Sequence, residues 1–258
     1  MTTIDVRRSE DRTYQRIDGI FSTFSFPFAG NFDLAKGAHG TLMVHNDDVI
    51  DPLMGVDPHT HRDAEIVTWV LDGRVEHADS AGHTGTISAA QIQRITAGSG
   101  IRHTERNPDA AGKLHVLQMW VAPDTPDLEP EYAQADLGAR LDTGELVTAL
   151  SGLPSEDPGV GIHNRWTALD IARPKQGRPL AVKGAPFLHL FVARGEVRVW
   201  VDGSDAGGAD SPVTLRTGDA LRLEDATGLR VEAVGENGGD GAASEPAEFL
   251  VWRMHAHF

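Results

Sequence analysis

Apolar residues along this chain come in short runs that alternate with polar positions or end abruptly at glycine. "GTLMVHNDDVI" (40–50), "AEIVTWVLDG" (64–73), "GRVEHADS" (73–80), "GTISAAQIQRITAG" (85–98) and "KLHVLQMWVAP" (113–123) each have the length and β-branched content of a strand. Asp72-Gly73, Ala81-Gly82 and Gly98-Ser99-Gly100 between them have turn chemistry. Strands every 8–14 residues or so, with no sustained helical period, predict an all-β barrel or sandwich.

The texture changes between about 123 and 160. "PDTPDLEPEYAQADLGAR" is rich in proline and acid and "SGLPSEDPGVG" is turn-forming, so a crossing segment is expected there. Strands resume with "PFLHLFVARGEVRVWVDG" (186–203), "SPVTLRTGDALRLEDATG" (211–228), "LRVEAVG" (229–235) and "AEFLVWRMHAHF" (247–258). The strand, glycine turn, strand rhythm of the first half thus repeats, which predicts two β-barrels in tandem, over 1–135 and 136–258. "GGADS" and "GENGGDGAASEPAE" read as surface loops without chemistry of their own.

Composition narrows the function classes. Hydrophobic residues make up 40% of 258, enough for a substantial core. Lys and Arg total 23 against 38 Asp and Glu, a net charge of −15, which opposes direct nucleic-acid binding. No basic run suggests a membrane surface, and no apolar run approaches the ~18 residues of a spanning helix. The polar start "MTTIDVRRSEDRTYQR" has no apolar leader, so a soluble cytoplasmic protein is expected. Cysteine is absent, so any metal must be held by nitrogen and oxygen.

"PHTHRDAEIVTW" supplies the nitrogen. His59 and His61 stand two residues apart at the mouth of a strand, so their side chains share a face, with Cα atoms roughly 6.5–7 Å apart. Forty-two residues after His61, "TAGSGIRHTERNP" (96–108) adds His103 and, again two residues on, Glu105. Three imidazoles and a carboxylate suit Fe(II), Mn(II), Co(II), Ni(II), Cu(II) or Zn(II), and leave one or two coordination positions open for catalysis. Spacing alone leaves two carboxylates in competition for the fourth position, Glu65 and Glu105. Asp63 shares the parity of His59 and His61 and is expected to face the same site.

HxH followed by three residues and Glu65, then Gly100-x-x-His103-x-x-x-Asn107, resembles the two motifs of the cupin superfamily. More narrowly, "HTHRDAEIVTWVLDGRVEHADSAG" with "TAGSGIRHTERNP" resembles the pirin family, and "VHNDDVI" and "LHVLQMWV" its bacterial quercetin 2,3-dioxygenase branch. The resemblance is strongest over 20–125. It implies two tandem cupin (jelly-roll) barrels, a bicupin, with a metal centre in the first and a degenerate, metal-free second barrel that has no HxH. It also implies that His59, His61, His103 and Glu105 are the ligands, which leaves Glu65 as a supporting or ion-paired residue. The sequence departs from the pirin pattern at Thr60, Asp63-Ala64 and Ala89-Ala90-Gln91.

The activity implied is a metal-dependent dioxygenase that opens a flavonol-like ring with O2 and loss of carbon monoxide. Fe(II) is the expected metal, with Mn, Co, Ni, Cu and Zn as alternatives, and Glu105 is the expected general base on the substrate hydroxyl. The family's other known role is the alternative: a non-enzymatic, redox-responsive regulator that binds a protein partner. A bicupin that has lost activity is a third, and a monomer is expected.

The remaining histidines are read first as structural. His77 is placed either at the barrel mouth or exposed at a strand end, and His115 is packed, on the surface, or orienting a neighbour. His39, His45, His83, His163 and His189 carry no motif, and no histidine or acidic residue follows His255-x-His257 in the sequence. "FSTFSFPFAG" (21–30) is expected in the core, with capping of the barrel mouth as the alternative.

Overall fold

The computed structural model describes residues 2–27, 37–202, 211–234 and 245–257. Most of the two Gly-rich loops, and the last three residues of "FSTFSFPFAG", lie outside the described residues. The protein is almost entirely strand, 59% against 3% helix, as the short alternating runs require. No described helix is long and apolar enough to cross a membrane.

The first half contributes β1 (Thr3–Arg7), β2 (Thr13–Ile17), β3 (Ile20–Phe24), β4 (Leu42–Ile50), β5 (Gly55–His61) and β6 (Glu65–Asp72). It continues with β7 (Arg74–Asp79), β8 (Thr84–Ser88), β9 (Gln91–Thr96), β10 (Ile101–Arg106), β11 (Leu114–Val121) and β12 (Glu131–Asp136). The second half contributes β13 (Val147–Ser151), β14 (Val160–Gly161), β15 (Thr167–Ala172), β16 (Leu180–Arg194), β17 (Glu196–Val201), β18 (Val213–Arg216), β19 (Ala220–Ala233) and β20 (Glu248–Met254).

A seven-stranded sheet, ordered β12-β9-β6-β11-β4-β3-β2, faces a four-stranded sheet, ordered β5-β10-β7-β8. The eight strands of the second half form one sheet, and β1 makes it nine-stranded by pairing with β19. The start of the chain therefore crosses over to the second half. Asp219 fastens it there, accepting from the backbone N–H of Ser9 and from the Arg8 guanidinium, both at 2.8 Å.

Parity decides what each face of the seven-stranded sheet does. Val67, Trp69, Leu71, Leu117 and Met119 point outward and share one core with Leu169, Ile171, Leu250 and Trp252 of the second half. A buried polar contact crosses the same junction, where the Trp69 indole N–H donates to Glu248 at 2.7 Å. The second half has its own core, in which Leu188, Leu190, Val199, Leu221, Phe249 and Val251 pack together.

Three local expectations are revised. "GTISAAQIQRITAG" is two strands, because Ala90 adopts a left-handed φ of +64° and turns the chain. Thr227-Gly228 is no turn: Gly228 is extended within β19 and pairs with Lys183, so 220–233 is one strand. The crossing segment is structured, with β12 completing the first sheet and β13 entering the second on either side of one helical turn, Gly138–Leu141.

Candidate metal centre

The site is built on the four-stranded sheet. In β10, the middle strand of three, Ile101, His103 and Glu105 alternate inward. His103 lies opposite His59 of β5, and Glu105 lies opposite His77 of β7. A bulge between His103 and Glu105 shifts the β5 pairing. The turn into β10 depends on Gly98, whose φ is +44° and where a Cβ would lie 2.0 Å from the Leu128 carbonyl oxygen.

Three imidazoles converge. The rings of His59 and His61 are 4.7 Å apart, those of His59 and His103 are 4.4 Å apart, and those of His61 and His103 are 5.0 Å apart. One ring nitrogen from each lies within 4.8 Å of the other two. His59 Nδ1 donates to the Asp57 carbonyl at 2.9 Å, which leaves its Nε2 lone pair aimed at His103 Nε2, 3.0 Å away. Burial, reinforced by the neighbouring imidazoles, pushes His61 down to about 4 and His103 down to about 3. Neutral imidazoles presenting lone pairs to one point are what a divalent cation needs.

Glu105 is buried at 5% exposure, and its carboxylate is held by three donors. Gln93 Nε2 and Thr68 Oγ1 reach Oε1 at 3.0 and 3.4 Å, and Gln118 Nε2 donates to Oε2. A carboxylate accepts at about four lone-pair positions, so one remains. Glu105 does not join the group of His59 and His61 but falls in one with His103 and His77, so the four expected ligands occupy two overlapping groups that share His103. Imidazoles with a carboxylate suit a first-row divalent metal.

His77 lies neither at the barrel mouth nor exposed at a strand end, the two placements its sequence position suggests: it is buried at 2% exposure beside His103 and Glu105, with which it forms a second, overlapping donor group. Its Nε2 and His83 Nδ1 each lie 3.0 Å from Asp79 Oδ2, and Tyr132 stacks on both rings. Asp79 had not been singled out; its signal was the His77-x-Asp79 spacing, which puts both on one face of β7.

Asp63 does not face the site. β5 ends at His61, so strand parity no longer applies, and Asp63 sits at φ +46° with Oδ1 accepting from the Asp127 N–H at 2.8 Å. Glu65 points to the opposite face of its sheet, where Thr96 Oγ1 donates to it at 3.1 Å. Burial pushes its carboxyl up to about 7. His45 and His189 meet 3.1 Å apart, buried at the junction of the halves, and His39 bonds the Leu188 carbonyl nearby. His115 pairs with Asp47, His163 with Glu131, and His255 and His257 lie beyond β20.

Above the imidazoles opens a cavity of about 640 Å³. Ile20, Phe24, Ile66, Val116 and Trp120 line it, and Ile17, Leu53 and Met54 rim it, 52, 58 and 37% exposed.

Two barrels in tandem, one of them opening onto a His/Glu cluster, define a bicupin. The Pirin family model matches residues 7–121. A Mycobacterium tuberculosis protein named putative quercetin 2,3-dioxygenase is 40% identical over 254 residues, covering 98% of this chain and 96% of that protein. Escherichia coli quercetin 2,3-dioxygenase is 30% identical over 89% of this chain and 94% of its own. The crystal structure of the bacterial pirin YhhW from Escherichia coli in complex with nickel(II) superposes with a TM-score of 0.80 at 26% identity, over 98% of this chain and all of that one. This chain belongs to the pirin family.

Proposed function

We propose that the protein is a metal-dependent dioxygenase that opens a flavonol-type ring with O2, its metal held by His59, His61, His103 and Glu105. The observation that carries this reading is the convergence of three imidazoles on the lining of a cavity, with the three-donor carboxylate of Glu105 grouped beside His103. The names of the relatives give the substrate class, and the nickel(II) in YhhW supports a divalent ion. Fe(II) is our first choice, with Mn, Co, Ni, Cu and Zn able to use the same donors.

The metal supplies Lewis acidity that makes a bound hydroxyl easier to deprotonate. Glu105 takes that proton at the one lone-pair position Gln93, Thr68 and Gln118 leave open, so it serves as ligand or as base but not as both at once. Gln93 and Gln118 keep the carboxylate aimed while it changes partner. A cavity of this volume accommodates a three-ring ligand. Its apolar walls exclude water from the activated ring.

The test is oxygen uptake with quercetin by metal-loaded protein and by Glu105→Gln. The variant is expected to lose at least about 100-fold in rate with its circular dichroism unchanged. Wild-type turnover retained in Glu105→Gln would overturn the base assignment. Elemental analysis beside His61→Ala completes the test: about one equivalent of metal that disappears in the variant supports the cage, and no metal after anaerobic reconstitution with Fe(II) would overturn it.

A further inference from the structure

The polar part of the cavity extends beyond the imidazoles. On the inner face of the seven-stranded sheet, Asn46 and Asp48 alternate inward from β4. Gln118 of β11 lies directly opposite Asn46, and Val116 opposite Asp48. All three polar residues line the cavity, and each carries a buried oxygen with no partner: Asn46 Oδ1, Asp48 Oδ1 and Gln118 Oε1. Asn46 and Asp48 are only 9 and 8% exposed. The Gln118 amide is oriented by its N–H donation to Glu105, so its free atom is necessarily the acceptor. The Ser22 hydroxyl serves Asp48, leaving Oδ1 bare, and because burial pushes this carboxyl up to about 7, Oδ1 is an acceptor in buffer above that value. Buried acceptors without donors are rare in native proteins, and each is costly. A contiguous row of three on a cavity wall is the imprint of a ligand that brings the donors.

We propose that Asn46, Asp48 and Gln118 form a hydroxyl-reading subsite that selects aromatic polyols, ligands with ring hydroxyls additional to the one presented to the metal centre. The inference rests on the flavonol reading only for the ring system; the acceptor row itself calls for hydroxyl donors on any aromatic scaffold. The apolar walls receive the ring, and the acceptor row receives hydroxyls on its far edge. A site built around hydrogen bonds to hydroxyls rejects the analogue lacking them, because its own acceptors are then left buried and unpaired.

Binding by nickel(II)-loaded protein without oxygen separates this from catalysis. Quercetin is compared at about pH 8, where Asp48 is ionised, with 3-hydroxyflavone, which keeps the 3-hydroxyl and 4-keto oxygen and lacks the other hydroxyls, by calorimetry on wild type and on Asp48→Asn. Wild type is expected to prefer quercetin by about 100-fold. Asp48→Asn, which puts a donor where the acceptor was, is expected to cut the preference below about tenfold while binding 3-hydroxyflavone within threefold of wild type. An unchanged preference, or equal weakening of both ligands, overturns the proposal. Asn46→Ala, expected to move in the same direction, serves if Asp48→Asn melts early. If neither flavone binds wild type, the flavonol reading falls. The subsite is then decided by resorcinol against 1,3-dimethoxybenzene: a resorcinol preference that Asp48→Asn abolishes upholds it, and none overturns it.

Discussion

Glu65 provides the sharpest test of which carboxylate belongs to the site, because the two assignments differ in sign. It is fully buried, its Oε1 has no side-chain partner, and Thr96 Oγ1 donates to its Oε2. Burial raises its carboxyl from 4.5 to about 7, and nearby Arg94 only partly opposes this. An acid whose folded-state value is raised favours the folded state fully below 4.5, and that contribution is lost as pH rises through about 7. At about 1.4 kcal/mol per tenfold change in proton affinity, ionised Glu65 costs about 3 kcal/mol at pH 8 and under about 1 kcal/mol at pH 5. Glu65→Gln removes the titration. Its absolute stability also includes an unpaired amide N–H, worth about 1–3 kcal/mol in either buffer. The difference between the two pH values is free of that effect. Urea unfolding is expected to show Glu65→Gln gaining about 2.5 kcal/mol relative to wild type between pH 5 and pH 8, with metal content unchanged. Equal relative stability at both pH values would refute the burial argument. Loss of metal would place Glu65 in the cage after all.

Other perturbations probe the support around the site. Gln93→Leu removes a buried donor from Glu105 and is expected to weaken metal affinity about 10–100-fold in chelator competition. Asp63→Asn is expected to leave metal content unchanged and stability within about 0.5 kcal/mol, since its contacts are with the Asp127 loop. Glu248→Ala strands the Trp69 N–H and the Arg173 guanidinium, paired at 2.6 Å, and is expected to cost about 2–4 kcal/mol in urea unfolding.

The fold and the centre were legible in the chain to different depths. Alternation of two marked His59 with His61 and His103 with Glu105; the three histidines meet in one group, and Glu105 meets His103 in a second that includes His77. Alternation also misled at Asp63, because parity holds only while the strand continues, and the left-handed residue at 63 ends it. The choice between Glu65 and Glu105 needed the sheet's orientation: both lie on strands, but on faces that look in opposite directions. His77 was hidden because its neighbours, Glu105 and His103, come from a strand that pairs with β7 only in three dimensions. The junction of the halves was invisible for the same reason. Val67, Trp69 and Leu71 read as ordinary core, and nothing local says that Leu250 and Trp252 cover them.

The crossing of β1 onto β19 sets an order for assembly. Thr3 pairs with Glu224 and Arg7 with Ala220, so β1 waits for a partner made more than two hundred residues later. Until then its five residues have no ladder to join. Closing that loop is among the most non-local steps the chain makes, which places it late in folding. The rest of the first half, with His59, His61 and His103, can assemble before β1 is docked, and the arm then acts as a latch whose closure reports that β19 has been made and paired.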